Sequence, residues 1–526
     1  MKGRIRIRLS QGLLLAFFAL VVLLPLLGMF KEMAGLDVGA LLTSRPFSSA
    51  LRNSLAVTSV STLISVSLAA LLAWLTVRSR MRGKGFFVLL FTLPMLIPSI
   101  SHGMGLVVLL GANGVLTNAL GLRGHIYGFW GIVAGSVMYS FPLAFLMLSD
   151  VLRYEDSTPY EASDVLGIPK RFQFSSITLP YLRRPLISTV FAVFTLIIID
   201  YGVPLMIGGQ YKTLPVLMYQ DVIGLLDFGK GSVIGLVLLT PALIAFLMDL
   251  FNREKAPLSF VTRDFQVREN PWRDLLAYLL SSLVGLVVVL PIGAFLLLTL
   301  VRKYPSDLSF SLDNIRRALQ MNAGVNLLHS LIIALFTGLI GMALAFAAAY
   351  LTARTRGRLA KALHLASMTS LAIPGIVLGL SYVVFFKGTF IYGSLAILIL
   401  VNLVHFFASP YLMIYNTLSK INGDLEDVGQ TLGVGRLGII RDVLIPQTRH
   451  TLAEMFTYFF VNAMMTISAV AFLATSATRP LSLMIPGLEA QMMLEGAAFI
   501  SLVILSVNLL VKGLFGLAAK KREAYS

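Results

Sequence analysis

The chain has 526 residues, of which 57% are hydrophobic and 13% charged, with a formal net charge of +17 and no cysteine. A soluble globular protein could not bury so large an apolar fraction, and the lack of cysteine excludes disulfides and thiolate metal ligands. The cations are distributed among the polar segments and not gathered in one domain, which favours a membrane topology over a nucleic-acid partner.

Apolar runs recur along the whole chain, and a helix of about 20 residues suffices to cross the hydrocarbon core. The predicted spans, in chain order, are residues 11–30, 50–77, 86–111, 126–149, 186–208, 231–251, 274–301, 326–352, 360–386, 391–417, 452–475 and 494–517. The first follows a basic start but lacks a small-residue cleavage site, so we interpret it as a retained span. The sequence therefore predicts an all-α polytopic membrane protein with about twelve transmembrane helices.

Lysine and arginine mark alternate polar segments of this predicted topology. They occupy the chain start, the gap from Arg78 to Lys84, the gap from Arg354 to Lys361, the middle linker and the tail. Cytoplasmic loops of membrane proteins carry such an excess of cations. We therefore expect both termini to be cytoplasmic.

The chain contains an internal duplication. At an offset of 276 residues, Arg78 pairs with Arg354, and the segment Leu96-Ile97-Pro98 pairs with Ala372-Ile373-Pro374. The predicted organisation is a first six-helix half at 1–251, a cytoplasmic linker at 252–273 and a second six-helix half at 274–526. Both copies point the same way, which indicates a parallel repeat with a pathway between related halves.

Each half carries a polar loop with one shared spacing pattern, after the fourth and the tenth predicted spans. The matching residues lie at an offset of 266: Glu161-Ala162-Ser163, Gly167, Ile177, Leu179 and Pro180 in the first loop, and Asp427-Val428-Gly429, Gly433, Val443, Ile445 and Pro446 in the second. The repetition at equivalent positions favours docking on a partner protein over an amphipathic loop lying on lipid headgroups.

Local signals predict a helix-turn-helix in the first loop. Thr158, Pro159 and Glu161 form a capping box that starts a helix, and Gly167 ends this helix in a left-handed conformation. A second helix is expected from about Lys170 to Thr178, with Pro180 as its stop.

The small side chains of Ala162 and Ser163 suit insertion into a groove. In the second loop, Asn422 or Asp424 is the expected cap and Gly433 the expected helix end.

The loop pattern resembles the hallmark loop of the permeases of binding-protein-dependent ABC importers. The resemblance covers nearly the whole chain and implies the type I importer permease fold in a bacterial cytoplasmic (inner) membrane. It departs in the second loop, which has Asp427 for Glu, Val428-Gly429 for Ala-Ala and Ile445 for Leu. This departure leaves open whether the two loops dock with equal strength, but it does not change the docking role that the resemblance implies.

The resemblance implies that each loop inserts its short helix into one of two copies of a cytosolic ABC ATPase, while an extracytoplasmic binding protein delivers the solute. Membrane lipid is the other expected partner, and no nucleic acid is expected. Gly224, Gly229 and Lys230 fit part of a phosphate loop, but Gly231 stands where Ser or Thr must hold magnesium. We therefore expect no enzyme activity and no bound cofactor, with ATP and Mg used by the partner ATPase.

Fused two-half permeases of this kind resemble those for ferric iron, thiamine and 2-aminoethylphosphonate. The segments Tyr201 to Tyr211 and Thr466 to Leu473 favour 2-aminoethylphosphonate, with ferric iron or thiamine as the alternative. A more distant alternative is an ion-coupled secondary transporter, which also shows repeats and twelve spans. The loop pair and the lack of paired intramembrane carboxylates argue against it.

Polar residues within spans are candidates for the transport pathway because they are costly there. Asp200 and Tyr201 lie where the fifth span is expected to break, and the repeat places Thr466 and Ser468 opposite Asp200 and Gly202. Asp200 is either a contact for a cationic group or a helix-end residue. Pro98 and Pro374 are expected to kink or interrupt the third and ninth spans. No metal site is predicted, because no cluster has metal-ligand spacing.

Overall fold

The computed structural model describes residues 2–121, 126–252, 267 and 269–523, most of them in helices. The predicted linker at 252–273 lies largely outside the described residues. Up to residue 252 the α-helices are Lys2–Phe18, Leu24–Glu32, Val38–Thr43, Arg45–Arg78, Lys84–Thr92, Ser99–Leu110, Val115–Leu120, Phe129–Arg153, Thr158–Val165, Lys170–Gln173, Leu179–Ile198, Gly202–Ile207, Leu214–Tyr219 and Phe228–Asn252.

The later α-helices follow a comparable order after one additional hairpin. They are Pro271–Leu300, Asp313–Gln320, Ala323–Ala353, Arg358–Met368, Gly375–Phe386, Leu395–His405, Ala408–Lys420, Leu425–Thr431, Arg436–Ile439, Ile445–Met465, Met484–Ala490 and Leu494–Glu523. The short strands Val301–Lys303 and Asp307–Phe310 pair in antiparallel fashion. Wider π-turns occur at Ala19–Leu23, Phe174–Thr178, Gln220–Gly224 and Ile440–Leu444, and 3₁₀ turns at Leu93–Leu96, Thr369–Ala372 and Leu481–Leu483.

The all-α membrane fold is confirmed. Each of the twelve predicted spans overlaps a helix or two consecutive helices, but the predicted span 452–475 is helical only as far as Met465. In the described part of the chain, eight helices are long and apolar enough to cross a membrane, or up to ten if each of two bent pairs counts as one span.

The third and ninth predicted spans are interrupted, as their prolines suggested. Pro98 separates the 3₁₀ turn Leu93–Leu96 from the helix that starts at Ser99, and Pro374 separates Thr369–Ala372 from the helix that starts at Gly375. The axis turns by 107° at the second break. A proline cannot donate a backbone hydrogen bond and disfavours helix in the residue before it, so the chain changes direction at both points.

The chain forms two compact units that interleave along the sequence. The first unit comprises Ala40–Leu217 and Thr240–Asn314, and the second comprises Met1–Gly39, Met218–Leu239 and Ile315–Ser526. Each unit therefore takes its leading helix from the other sequence half. The predicted halves are defined by the sequence duplication, whereas the compact units are defined by which helices pack together.

Close contacts hold these exchanged helices in their units. In the first unit, Gly105 lies against Pro291 and Gly285 against Leu90, so closely that a Cβ atom on either glycine would approach its neighbour to 2.7 and 2.4 Å. In the second unit, the hydroxyl of buried Tyr382 donates to the carbonyl oxygen of Val21 at 2.8 Å. That carbonyl lies in the π-turn of the first span, where the regular hydrogen-bond ladder is broken.

In the first unit, the helix Arg45–Arg78 packs along Phe129–Arg153. The hydroxyl of Ser140 donates to that of Ser65 at 3.0 Å in the middle of this contact. Phe91 and Phe145 meet edge to face with ring centroids 5.0 Å apart in the same core. Arg78 at the end of one helix thereby reaches the loop that follows the other.

Candidate functional site

The first loop begins with a helix, Thr158–Val165, but its cap differs from the prediction. Thr158 is the first helical residue and Ser157 is the N-cap. The carboxylate of Asp156 accepts from the backbone N–H of Thr158 at 3.0 Å, and the Ser157 hydroxyl donates to Glu161 at 2.9 Å. The predicted Thr158 capping box is therefore wrong, because the acceptor is supplied by Asp156, two residues before the threonine of the Thr-Pro-x-Glu pattern.

Both loop helices end in the same left-handed glycine motif, as predicted. Gly167 has φ +67° and Gly433 has φ +73°. The N–H of Ile168 donates to the carbonyl of Ser163 at 2.9 Å, and the N–H of Val434 donates to Gly429 at 2.8 Å. These are the 6→1 hydrogen bonds of a Schellman motif, which satisfies the last carbonyl groups of a helix.

The second helical segment of each loop continues into a span, so Pro180 and Pro446 do not stop it. Residues Lys170–Ile198 form one continuous helical segment of 29 residues. The prolines stand in the first turn after π-turns, in which Leu179 N–H donates to Phe174 and Ile445 N–H to Ile440. A proline lacks an N–H and crowds the preceding turn, and a π-turn relieves both constraints. The predicted end at Thr178 is wrong for this reason.

The first loop is anchored by a buried polar network. Arg78 donates to Glu155, and both side chains are almost fully buried. The Tyr160 hydroxyl donates to the other oxygen of Glu155 at 2.5 Å and lies 2.6 Å from the Thr178 hydroxyl. Burial raises the pKa of Tyr160, so its hydroxyl stays a neutral donor. The network joins the end of a span, the loop helix and the π-turn of the next span.

The second loop uses an ion pair at a different position. Arg354 is the repeat counterpart of Arg78, and its Nε lies 3.4 Å from Oε1 of Glu426. Glu426 lies within the loop helix at the repeat position of Tyr160, whereas the position of Thr178 is taken by the apolar Leu444. Both carboxylate oxygens of Glu426 are buried, and neither has a hydrogen-bond partner among the described residues.

The packing beneath the two loop helices also differs in chemistry. In the first loop, buried Gln173 donates to Asp164 at 2.6 Å and to the carbonyl of Ile168 at 3.2 Å. In the second loop, the equivalent residue is Ile439, which fills the space left by Gly429, since a Cβ atom there would lie 2.4 Å from it. The same interface is therefore polar in one half and apolar in the other.

The outer surfaces of the loops carry exposed apolar side chains. Val165 and Leu166 in the first loop and Leu437 in the second are 88%, 75% and 81% exposed. Ala162 is also exposed, but Ser163 is buried and its hydroxyl donates to the Tyr160 carbonyl at 2.8 Å. Ser163 therefore supports the helix from within.

The remaining motif residues divide between surface and partly buried positions. Glu161, Pro180 and Pro446 are exposed, and Ile177 and Val443 are half-buried. Asp427 lies in the helix Leu425–Thr431.

The candidate pathway residues lie around the two interrupted spans. The carboxylate of Asp200 accepts from the backbone N–H groups of Gly202 and Val203 at 3.3 and 3.0 Å, which makes it the cap of the helix Gly202–Ile207. Tyr201 is buried beside it. Of the two interpretations of Asp200, these hydrogen bonds fit the helix-end residue.

A hydroxyl and a glycine meet at each interruption, with their positions exchanged. In the first unit, a Cβ atom on Gly202 would lie 2.4 Å from the Ser99 hydroxyl; in the second unit, a Cβ atom on Gly375 would lie 2.5 Å from the Ser468 hydroxyl. Ser99 and Gly375 are repeat counterparts, as are Gly202 and Ser468. Thr466 lies two residues before Ser468, and its hydroxyl donates to the carbonyl of Asn462 at 2.7 Å.

The next features are the His, Asp and Glu side chains, as metal ligands, and the segment from Gly224 to Gly231, as part of a phosphate loop. No group of three His, Asp or Glu side chains in the described residues is placed to hold a metal ion. The ammonium of Lys230 pairs with Asp227 at 3.0 Å. Gly231 packs against Val222, so closely that a Cβ atom there would approach it to 2.3 Å.

Sequence reasoning missed Glu155, Tyr160 and Glu426 as functional positions. Arg78 and Arg354 were seen as a repeat pair, and a repeated cation at the end of a span was the available signal. Their partners were not predictable from it, because Glu155 and Glu426 stand at different repeat positions.

A duplicated helical membrane fold with a similar loop in each half is typical of the membrane component of a transport system. Residues 62–254 and 340–523 match the family described as binding-protein-dependent transport system inner membrane component. The chain belongs to this family and is a multi-pass membrane protein.

Named relatives come from several transport systems. The ferric transport system permease protein FbpB of Actinobacillus pleuropneumoniae is 26% identical over 439 residues, which cover 80% of this chain and 63% of that protein. Fe(3+)-transport system permease protein FbpB 2 of Haemophilus influenzae is 24% identical, with 80% of each chain covered. The thiamine permease ThiP of Brucella abortus is 28% identical over 196 residues, or 36% of each chain. The chain thus spans less than two thirds of the length of the first of these relatives.

Proposed function

We propose that this protein is the permease of an ATP-driven importer and that its two loops receive two copies of a cytosolic ABC ATPase. The observation that carries the proposal is the pair of loop helices ended by the same glycine motif, each with an exposed apolar tip. Such a tip suits a groove on a partner protein. An extracytoplasmic binding protein would deliver the solute, and both termini would be cytoplasmic.

The mechanism requires that ATP binding changes the distance between the two docked helices. Closure of the ATPase pair would then shift the permease between inward-open and outward-open states. This shift occurs only if the partners bind the two states with unequal affinity.

Ferric iron is the cargo we propose. Two ferric permeases named above align with 80% of this chain, including both halves, whereas the thiamine permease aligns with 36%. The sequence-based preference for 2-aminoethylphosphonate gains no support from these names. Iron therefore replaces it as the first choice, with thiamine as the alternative.

Uptake by the reconstituted complex tests both parts of the proposal. The permease, its ATPase and its binding protein are placed in liposomes containing ATP, and radiolabelled ferric iron, thiamine and 2-aminoethylphosphonate are offered in separate reactions. We expect ATP-dependent accumulation of iron alone. Uptake of thiamine or the phosphonate would replace the cargo, and uptake that needs no ATPase but collapses with the proton gradient would show a secondary transporter.

A further inference from the structure

One arginine stands at the end of a long helix in each half of the chain. Arg78 is the last residue of Arg45–Arg78, and Arg354 directly follows Ala323–Ala353. Each side chain is only 7% exposed. A buried guanidinium needs a compensating carboxylate, because an unpaired charge is costly there.

The partner carboxylate comes from the adjacent loop in both halves but from different positions. Glu155 precedes the first loop helix, whereas Glu426 lies inside the second. The link from span end to loop helix is thus present twice, although the residue that completes it differs. A link of this kind passes a displacement of the loop helix to the span.

The two links differ in tightness. In the first half, hydrogen bonds connect Arg78, Glu155 and Tyr160, and Tyr160 also contacts Thr178 in the π-turn of the next span. In the second half, Arg354 Nε lies 3.4 Å from Glu426 Oε1, and within the part of the chain that the structure describes neither Glu426 oxygen has a hydrogen-bond partner.

We propose that Arg78 and Arg354 are positioning residues that couple the ATPase-docking helices to their transmembrane units, and that the first link transmits movement more tightly than the second. This inference rests on the proposed importer function. The first loop moves with its span as one body, whereas the second loop helix shifts within its looser ion pair before the span follows.

Replacement of Tyr160 by Phe tests the first link without leaving an unpaired buried charge. The exposed Tyr154→Phe is the matched control. In the liposome system, three quantities are measured: ATPase bound per permease, ATP hydrolysed, and solute imported per ATP. We expect Tyr160→Phe to retain bound ATPase and hydrolysis while solute per ATP falls by about tenfold, the effect of losing one hydrogen bond to a charged group. Tyr154→Phe should match the wild type.

Arg78→Gln and Arg354→Gln compare the two halves. We expect the larger loss of solute per ATP from Arg78→Gln, and recovery in the charge-exchanged variant R78E/E155R. A purely structural role would reduce bound ATPase and leave solute per ATP unchanged. That result, or equal losses in the two halves, would overturn the proposal.

Two further outcomes are failed membrane insertion of Arg78→Gln and failure of the importer function itself. If Arg78→Gln does not insert, Tyr160→Phe alone decides, and an unchanged solute-to-ATP ratio there refutes the first link. Failure of the importer function itself is distinguishable, because the wild-type complex would then show no ATP-dependent uptake.

Discussion

The left-handed glycine of the second loop allows a test in which the same change, glycine to alanine, is expected to affect ATPase binding differently at two neighbouring positions. Gly433 has φ +73° and Gly435 has φ −69°, and a Cβ atom on either would meet nothing within 4 Å. An alanine at either position therefore causes no steric clash with its surroundings. The difference between the two variants reports backbone conformation together with a small capping contribution, because Gly435 is the N-cap of the helix Arg436–Ile439, where glycine is favoured over alanine.

The expected size of the effect follows from the backbone angles. An L-residue in the left-handed region costs about 1–2 kcal/mol, whereas alanine at a compatible φ stabilises by about 0.4–1 kcal/mol through the unfolded chain. If the Schellman geometry is the form that the ATPase binds, Gly433→Ala weakens that binding by up to a factor of about 5–30. Gly435→Ala should bind about as tightly as wild type, because the gain through the unfolded chain and the weaker N-cap largely offset each other.

The dissociation constant of the purified ATPase for the permease in detergent micelles is the measurement. Gly433→Asn adds a third point, because asparagine tolerates the left-handed region better than alanine does. The expected order of affinity is Gly, then Asn, then Ala. Equal affinity of Gly433→Ala and Gly435→Ala would refute the link between the glycine motif and docking.

Two other predictions use exchanges between the halves. Gly429→Ser should loosen the second loop and weaken ATPase binding, because its Cβ would meet Ile439. The double variant with Ile439→Gln has the residue types of Ser163 and Gln173 in the first loop and should recover part of the affinity. An ATPase pull-down measures both variants. Gly375→Ser should reduce uptake without loss of inserted protein, because its Cβ would lie 2.5 Å from the Ser468 hydroxyl and 2.9 Å from the His405 ring. Adding Ser468→Gly removes the first of these contacts and should restore part of the uptake; a double variant with no recovery would contradict this interpretation.

Local chemistry made several structural features predictable. Apolar runs located the helices because each span must bury its own backbone hydrogen bonds. Gly167 and Gly433 were found because few other residues adopt positive φ cheaply. Pro98 and Pro374 were found because proline cannot continue a helix from the preceding turn.

The features that were missed depend on alternatives that are close in local energy. Pro180 suits the first turn of a helix as well as the end of one, and the π-turn before it decides the outcome. Thr158 and Asp156 are both competent caps, and the structure uses the carboxylate.

Contacts between residues that are distant in the sequence could not be predicted from local patterns. Arg78 and Glu155 are 77 positions apart, and nothing in either neighbourhood specifies the other. The exchange of leading helices between the compact units likewise depends on packing of segments that are remote in sequence.

The two halves preserve contacts more closely than they preserve residues. An arginine meets a loop carboxylate in both, although Glu155 and Glu426 stand at different repeat positions. A hydroxyl meets a glycine at both interrupted spans, with the two partners exchanged. An alignment of the halves matches the two arginines but counts the carboxylate, serine and glycine positions as mismatches, yet the same kinds of contact are retained.

We expect this distinction to affect how firmly each loop helix is held. The first loop helix is seated on a hydrogen-bonded polar network, and hydrogen bonds constrain direction as well as distance. The second is seated on Ile439 and a loosely paired Glu426, and apolar contact is non-directional. A helix held by directional bonds resists rotation and sliding more than one held by apolar contact. The asymmetry that the sequence suggested in the motif residues therefore has its physical basis beneath the helices, in the residues that seat them.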